Sequence, residues 1–192
     1  MISRVLRAPK LDHERMPEMP LFVAELETAA IAQSKPFDEV LSAIESAAAK
    51  SGGEFIESQV TADHARVFAV IEHTDQVALR ADLTEAGLSV DDLAQVRLVG
   101  AELEDVKKLR KPGQYLVEWD FPEGLTMDKY LARKKEKSPL YNDITDVKFL
   151  RTYVREDMVK CLCFYDGDSE EAVVAARQVV DTPISRLHKL EA

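Results

Sequence analysis

The sequence predicts an α+β protein in which one β-α-β-β-α-β unit is used twice. Residues 54–75 (EFIESQVTADHARVFAVIEHTD) and 148–169 (KFLRTYVREDMVKCLCFYDGDS) align without a gap. The alignment sets Phe55 on Phe149, Val60 on Val154 and Asp63 on Asp157, with Ile56, Ser58, Arg66 and Glu72 on Leu150, Thr152, Lys160 and Asp166. Three identities are few, but the flanks agree as well: an apolar strand and an amphipathic helix come before, and a helix and a short strand after. Such internal periodicity decides the architecture before any local feature does. The length, 192 residues, suits one large domain or two small ones.

Residues 1–19 read as an N-terminal arm, with Arg4, Arg7, Lys10 and Arg15 spread among prolines. The first unit spans 20–103. Its first strand is expected over 21–27. A helix over 36–51 carries Phe37, Val40, Leu41, Ile44, Ala47 and Ala48 as one apolar stripe. Pro36 suits its first turn, Asp38 and Glu39 suit the positive end of its dipole, and Gly52-Gly53 stops it. Strands near 54–60 and 66–72 flank a turn at 61–65. A second helix over 75–86 has Thr74 as cap and Gly87 as stop, and Ser89-Val-Asp-Asp turns into a last strand at 95–99. Residues 104–112 form a cationic linker.

The second unit, 113–192, repeats the order. Strand one falls at 115–121. Thr126 caps a helix that must end before Pro139, because proline disfavours helix in the residue it follows. Strands near 147–154 and 158–165 form the hairpin, Ser169 caps a helix to about 180, and a strand closes the chain at 187–190.

A β-α-β-β-α-β unit gives an antiparallel sheet with both helices on one face, the ferredoxin-like arrangement. The other face is left bare. Yet 67–71 (VFAVI) and 161–165 (CLCFY) are apolar at every position, which means burial on both sides. The expected fold is therefore α+β: tandem ferredoxin-like units forming a pseudo-dimer, the bare faces covered within the chain or by a second copy. A cleft between the units is the natural ligand site.

A formal net charge of −10 argues against binding to a phosphate backbone as the main activity. Arg133, Lys134, Lys135 and Lys137 read as a solvated helix face. No apolar run is long enough for a signal peptide or a membrane span, so the expectation is a cytoplasmic protein, with a homodimer as one form of partnership. Cys161 and Cys163 stand at i and i+2 of one strand and point the same way. Their Cα atoms lie roughly 6.5–7 Å apart, at or beyond disulfide reach, so free thiols are expected.

Imidazole and carboxylate suit nickel or another divalent transition metal, and Glu72, His73 and Asp75, where a strand meets a helix, are the candidate ligands. Asp63-His64 in a turn, His188 near Glu191, and Asp12-His13-Glu14 in the arm are lesser candidates. Glu25 and Glu118 hold matching places on the two first strands, and a carboxylate in apolar surroundings is costly unless paired or liganded. With Trp119 they form the candidate ligand-binding set. No Ser-His-Asp order, phosphate-binding glycine loop or zinc-type cysteine pairing is present, and no catalytic residue is assigned.

YLVEWDFP at 115–122, FLRTYV at 149–154, KCLCFY at 160–165 and Thr182-Pro183-Ile184 resemble a small bacterial ferredoxin-like family known as the nickel-responsive or nickel-binding proteins. The resemblance is closer over 113–192 than over 20–100. It implies the ferredoxin-like fold, oligomerisation and, in some members, nickel binding. Members often carry histidines in the second helix, where this chain has VVAARQVV at 173–180. The functional expectation is a non-enzymatic binding protein for a metal ion or small ligand at the cleft between units. The rival readings are an α+β-barrel enzyme of monooxygenase or isomerase type, its cleft lined by Glu118, Trp119, Tyr153 and Tyr165, and a partner-binding scaffold.

Overall fold

The computed structural model describes residues 19–29, 36–109 and 113–191. The arm with Asp12-His13-Glu14 and the centre of the cationic linker lie outside these residues. The first half comprises β1 (Leu21–Glu27), α1 (Phe37–Lys50), β2 (Glu54–Val60), β3 (Arg66–Glu72), α2 (Gln76–Glu85) and β4 (Ser89–Val99). A short helix, α3 (Leu103–Val106), follows. The second half comprises β5 (Tyr115–Asp120), α4 (Met127–Lys137), β6 (Val147–Arg155), β7 (Lys160–Gly167), α5 (Glu170–Val179) and β8 (Arg186–Lys189), with a 3-10 segment, Ser138–Asp143, after α4.

The eight strands form one antiparallel sheet in the order β2-β3-β1-β4-β6-β7-β5-β8. Each half thus has the ferredoxin-like order of second, third, first and fourth strand. Finer irregularities recur in the alignment that sets Phe55 on Phe149. A bulge interrupts β2 between Phe55 and Glu57 and β6 between Phe149 and Arg151. Left-handed backbone at His64 (φ 56°) and Gly87 (φ 80°) has counterparts at Met158 (φ 57°) and Asp181 (φ 51°).

The halves join edge to edge. Val96 to Val99 on β4 pair with Thr152 to Arg155 on β6. The outer strands then meet: Thr61 bridges Leu190, Ala62 N–H donates to Lys189 O and Glu191 N–H donates to Val60 O. The sheet therefore rolls into a barrel and covers its own inner face. Val23, Phe68, Val70, Val96, Leu116, Tyr153, Leu162, Phe164 and Leu190 fill the interior. Outside, α1 and α2 cover Phe22, Ala24, Leu26, Val67, Ala69 and Ile71. Beneath α4 and α5 lie Val117, Trp119, Val154, Cys161, Cys163 and Tyr165. Strand residues 67–71 and 161–165 are buried at every position, and the cover comes from within the chain. Of the two coverings expected, the one within the chain is found, and it takes the form of one continuous sheet closed on itself.

Local differences have local causes. Asp75, not Thr74, caps α2: its Oδ1 accepts the N–H groups of Val77 and Ala78, the ordinary role of an acidic side chain there. β4 starts at Ser89 rather than 95, because one extra residue at Asp91 is absorbed as a bulge opposite Glu25 and Leu26.

Candidate functional site

Glu25 and Glu118 do face the same interior, and a single cation joins them. Lys160 Nζ lies 2.7 Å from Glu25 and 2.6 Å from Glu118. His188 (2.8 Å) and Arg186 (2.9 Å) also reach Glu118. Burial alone would raise the Glu118 pKa, but hydrogen bonds from His188, Arg186 and Lys160 outweigh it and hold the carboxyl well below its usual range. A second buried cluster also joins the halves, β2 to β6: Arg151 Nε donates to Glu57 at 2.8 Å and Arg151 Nη2 and Tyr153 OH contact the same carboxylate. Between the clusters the barrel is packed with side chains. Apolar side chains fill the inter-unit space between the clusters, and an open hollow of about 470 Å³ lies at the end of the seam beside α3, lined by Leu21, Glu72, Val96, Leu98 and Glu156.

His188 meets Glu118 rather than Glu191, and Glu191 instead takes His64 at 3.0 Å. Asp63 accepts from Thr61 Oγ1 and Ala65 N–H within its turn. His73 is fully buried. Its Nδ1 accepts from Asp75 N–H at 2.8 Å, so Nε2 carries the proton and donates to Ser51 Oγ at 2.8 Å. Glu72 pairs with Lys107 at 2.8 Å, while Asp75 serves its helix. The three proposed metal ligands therefore have separate partners. Among the described residues no group of three or more His, Cys, Asp or Glu side chains has metal-binding spacing.

Trp119 alternates with Glu118 on β5 and so points outward. It packs on Phe121 and Tyr130 and lines a pocket between α4, the 3-10 segment and the outer face of β5 and β7. Tyr165 lies on this face too, so Trp119 and Tyr165 share no cleft with Glu118 and Tyr153. The space open to water-sized groups measures about 40 Å³, room for roughly three waters.

Arg133, Lys134, Lys137 and Arg177 line the pocket together with Trp119, Tyr130, Tyr141, Tyr165 and Cys163, and no carboxylate belongs to the lining. Arg177 is 3% exposed. Its Nη1 donates to Tyr165 OH at 3.1 Å and Nη2 to Pro183 O, but Nε has no hydrogen-bond partner. Lys134 Nζ sits 3.8 Å from the centre of the Phe149 ring, and burial lowers its pKa. The run on α4 that reads as a solvated face thus sends two lysines and an arginine to a pocket wall. The signal available in the sequence was spacing: Tyr130, Arg133, Lys134 and Lys137 follow i, i+3, i+4, i+7 and share one helix face.

The floor is sulfur. Cys161 and Cys163 are both free, as their strand spacing requires, and their Sγ atoms stand 3.6 Å apart. Thr152 Oγ1 is 2.7 Å and Arg177 Nη1 3.6 Å from Cys163 Sγ. Burial pushes the Cys161 thiol up. Cys163 is held down, first by its hydrogen bond with Cys161 and, against the effect of burial, by the charges of Arg177 and Lys134.

Cys163 and Tyr165 of this pocket fall in a stretch that carries a family signature. Residues 115–190 match the SCO4226-like nickel responsive protein family. No curated protein matches the chain. Among solved structures, one provisionally named chlorite dismutase TA0507 is similar over 90% of this chain and 95% of its own, at 12% identity and a TM-score of 0.56. A provisionally named monooxygenase from Lactobacillus acidophilus NCFM is similar over 91% of this chain and 94% of its own, at 11% identity and a TM-score of 0.48. The first likeness concerns the fold, an α+β barrel assembled from ferredoxin-like halves. No helix among the described residues is long and apolar enough to cross a membrane.

Proposed function

We propose that this chain is a non-enzymatic binding protein, a covalently joined pair of ferredoxin-like units whose second unit holds a small anionic ligand in the pocket beneath α4. One observation carries the reading: Arg177 and Lys134 line a partly buried pocket with no carboxylate in its wall, while Arg133 and Lys137 at its rim pair with Asp181 and Glu136, on a chain of net charge −10. Gathering like charges away from water is costly unless an anion compensates them. Arg177 adds a buried guanidinium with one unsatisfied donor, a group that gains from a ligand oxygen. The aromatic walls exclude water and strengthen the attraction.

This moves the binding role from the cleft between the units to one unit. A bare nickel dication entering the same pocket meets Arg177 and Lys134 with no carboxylate in the wall, so the nickel named by the family is a weaker candidate there than an oxyanion or a small carboxylate. Calorimetric titration with sodium phosphate, sodium sulfate, sodium benzoate and nickel chloride tests the reading. Phosphate or benzoate should bind tighter than about 1 mM, roughly −4 kcal/mol, and Arg177→Gln should weaken that binding at least tenfold. Heat from nickel alone, with none from any anion, would refute it.

A further inference from the structure

We propose that Cys161 and Cys163 form a two-coordinate site for one soft monovalent metal ion of the copper(I) class. The two side chains leave β7 on the same face and bring their sulfurs to 3.6 Å, already in hydrogen-bond contact. With metal–thiolate bonds of ~2.3 Å, a bridging ion needs a sulfur separation of up to ~4.6 Å. The Cα atoms of residues two apart on a strand stand roughly 6.5–7 Å apart, so a sulfur separation of ~4.6 Å lies between the present one and the strand's own spacing. Thiolate ligands select soft ions, copper(I) and zinc among them.

Charge decides the valence. Binding replaces two thiol protons, released to the buffer, by one metal ion. A monovalent ion leaves a bis-thiolate complex of charge −1, and Arg177 and Lys134 stand beside it as counter-charges. A divalent ion would leave a neutral complex that gains nothing from those cations. It would also lack the third and fourth ligands that nickel or zinc takes, since no wider His, Cys, Asp or Glu cluster occurs among the described residues. The sulfurs lie against the pocket, Cys163 in its wall and Cys161 in contact with Cys163, so a copper(I) ion carried in by an anionic chelate is handed to the thiolates without crossing the pocket as a bare cation.

The test uses the reduced full-length protein under anaerobic conditions, in phosphate-free buffer, titrated with copper(I) held by the chromophore bicinchoninate. The protein should withdraw one equivalent, and Cys161→Ser and Cys163→Ser should each lower the affinity at least a hundredfold. X-ray absorption at the copper edge of the wild-type complex needs no variant and should show two sulfur neighbours. Failure to withdraw copper, full binding by both serine variants, or a shell of nitrogen and oxygen neighbours would each overturn the proposal. Because the buffer holds no phosphate, a missing phosphate heat would overturn only the anion reading, and missing copper transfer only this one.

Discussion

Lys160 is the cation on which two buried carboxylates depend, and Lys160→Met removes the charge while keeping most of the volume. Glu118 keeps Arg186 at 2.9 Å and His188 at 2.8 Å after the change. Glu25 keeps only Arg66, at 4.0 Å, and is 6% exposed. Breaking a buried pair by removing one partner costs ~3–5 kcal/mol. The surviving partners of Glu118 place this variant near the lower figure, about 3 kcal/mol at pH 7.5. The cost of the substitution falls with acid. In the wild type, the depressed pKa of Glu118 contributes stability that is present above the ordinary glutamate range and is lost as pH falls. In the variant the cost is that of a buried carboxylate without its cation, which acid relieves, so the difference between the proteins should shrink from pH 7.5 to pH 5. Glu25→Gln in the same chain should restore part of the loss. Urea unfolding followed through the single tryptophan, Trp119, measures all three. A loss below about 1 kcal/mol at pH 7.5, no different from a surface substitution, or a gap that widens at pH 5, would refute the reasoning.

Other outcomes can be checked alongside. Ala69→Asp puts a charge into the fully buried layer under α1 and α2 and should destabilise by more than about 3 kcal/mol by urea melt. Cys163→Asp faces Arg177 and Lys134 instead, and should cost less than half as much. Gly53→Ala should lower the melting temperature measurably, since a Cβ there would stand 2.5 Å from His73 Cδ2 and 2.7 Å from Glu72 O. Wild-type stability should decline as pH drops below ~4.5, as Glu118 and its partners lose their charge pairing. A flat profile from pH 6 to pH 3 would contradict that account.

Period and punctuation made the elements legible. Pro139 and Gly52-Gly53 ended helices where expected, and the continuous apolar runs at 67–71 and 161–165 announced two-sided burial. The carboxylates on the first strands announced buried partners, though not that both would share Lys160. Edge pairing between β4 and β6 left no trace, because an edge strand and a central strand differ in neighbours rather than in composition. The pocket was hidden for another reason. Lysine and arginine bury long aliphatic stems while keeping charge at a rim, so a cationic helix face looks alike whether water or aromatic rings lie opposite. Trp119 was grouped with Glu118 by adjacency, where alternation along β5 sends them to opposite sides.

The two seams of the barrel are unequal. The one between β4 and β6 holds four paired positions, while that between β2 and β8 closes over Val60 to Ala62 alone. Most of β2 therefore presents an edge with no strand partner among the described residues. That edge is bulged after Phe55 and carries Glu54 and Glu57. Glu54 is held by Lys107 and Glu57 turns inward to Arg151, so it is the kinked backbone rather than charge that discourages strand addition there. Closure of the barrel thus rests on three residues at one end, and the kink in β2 protects the stretch of the seam that stays open.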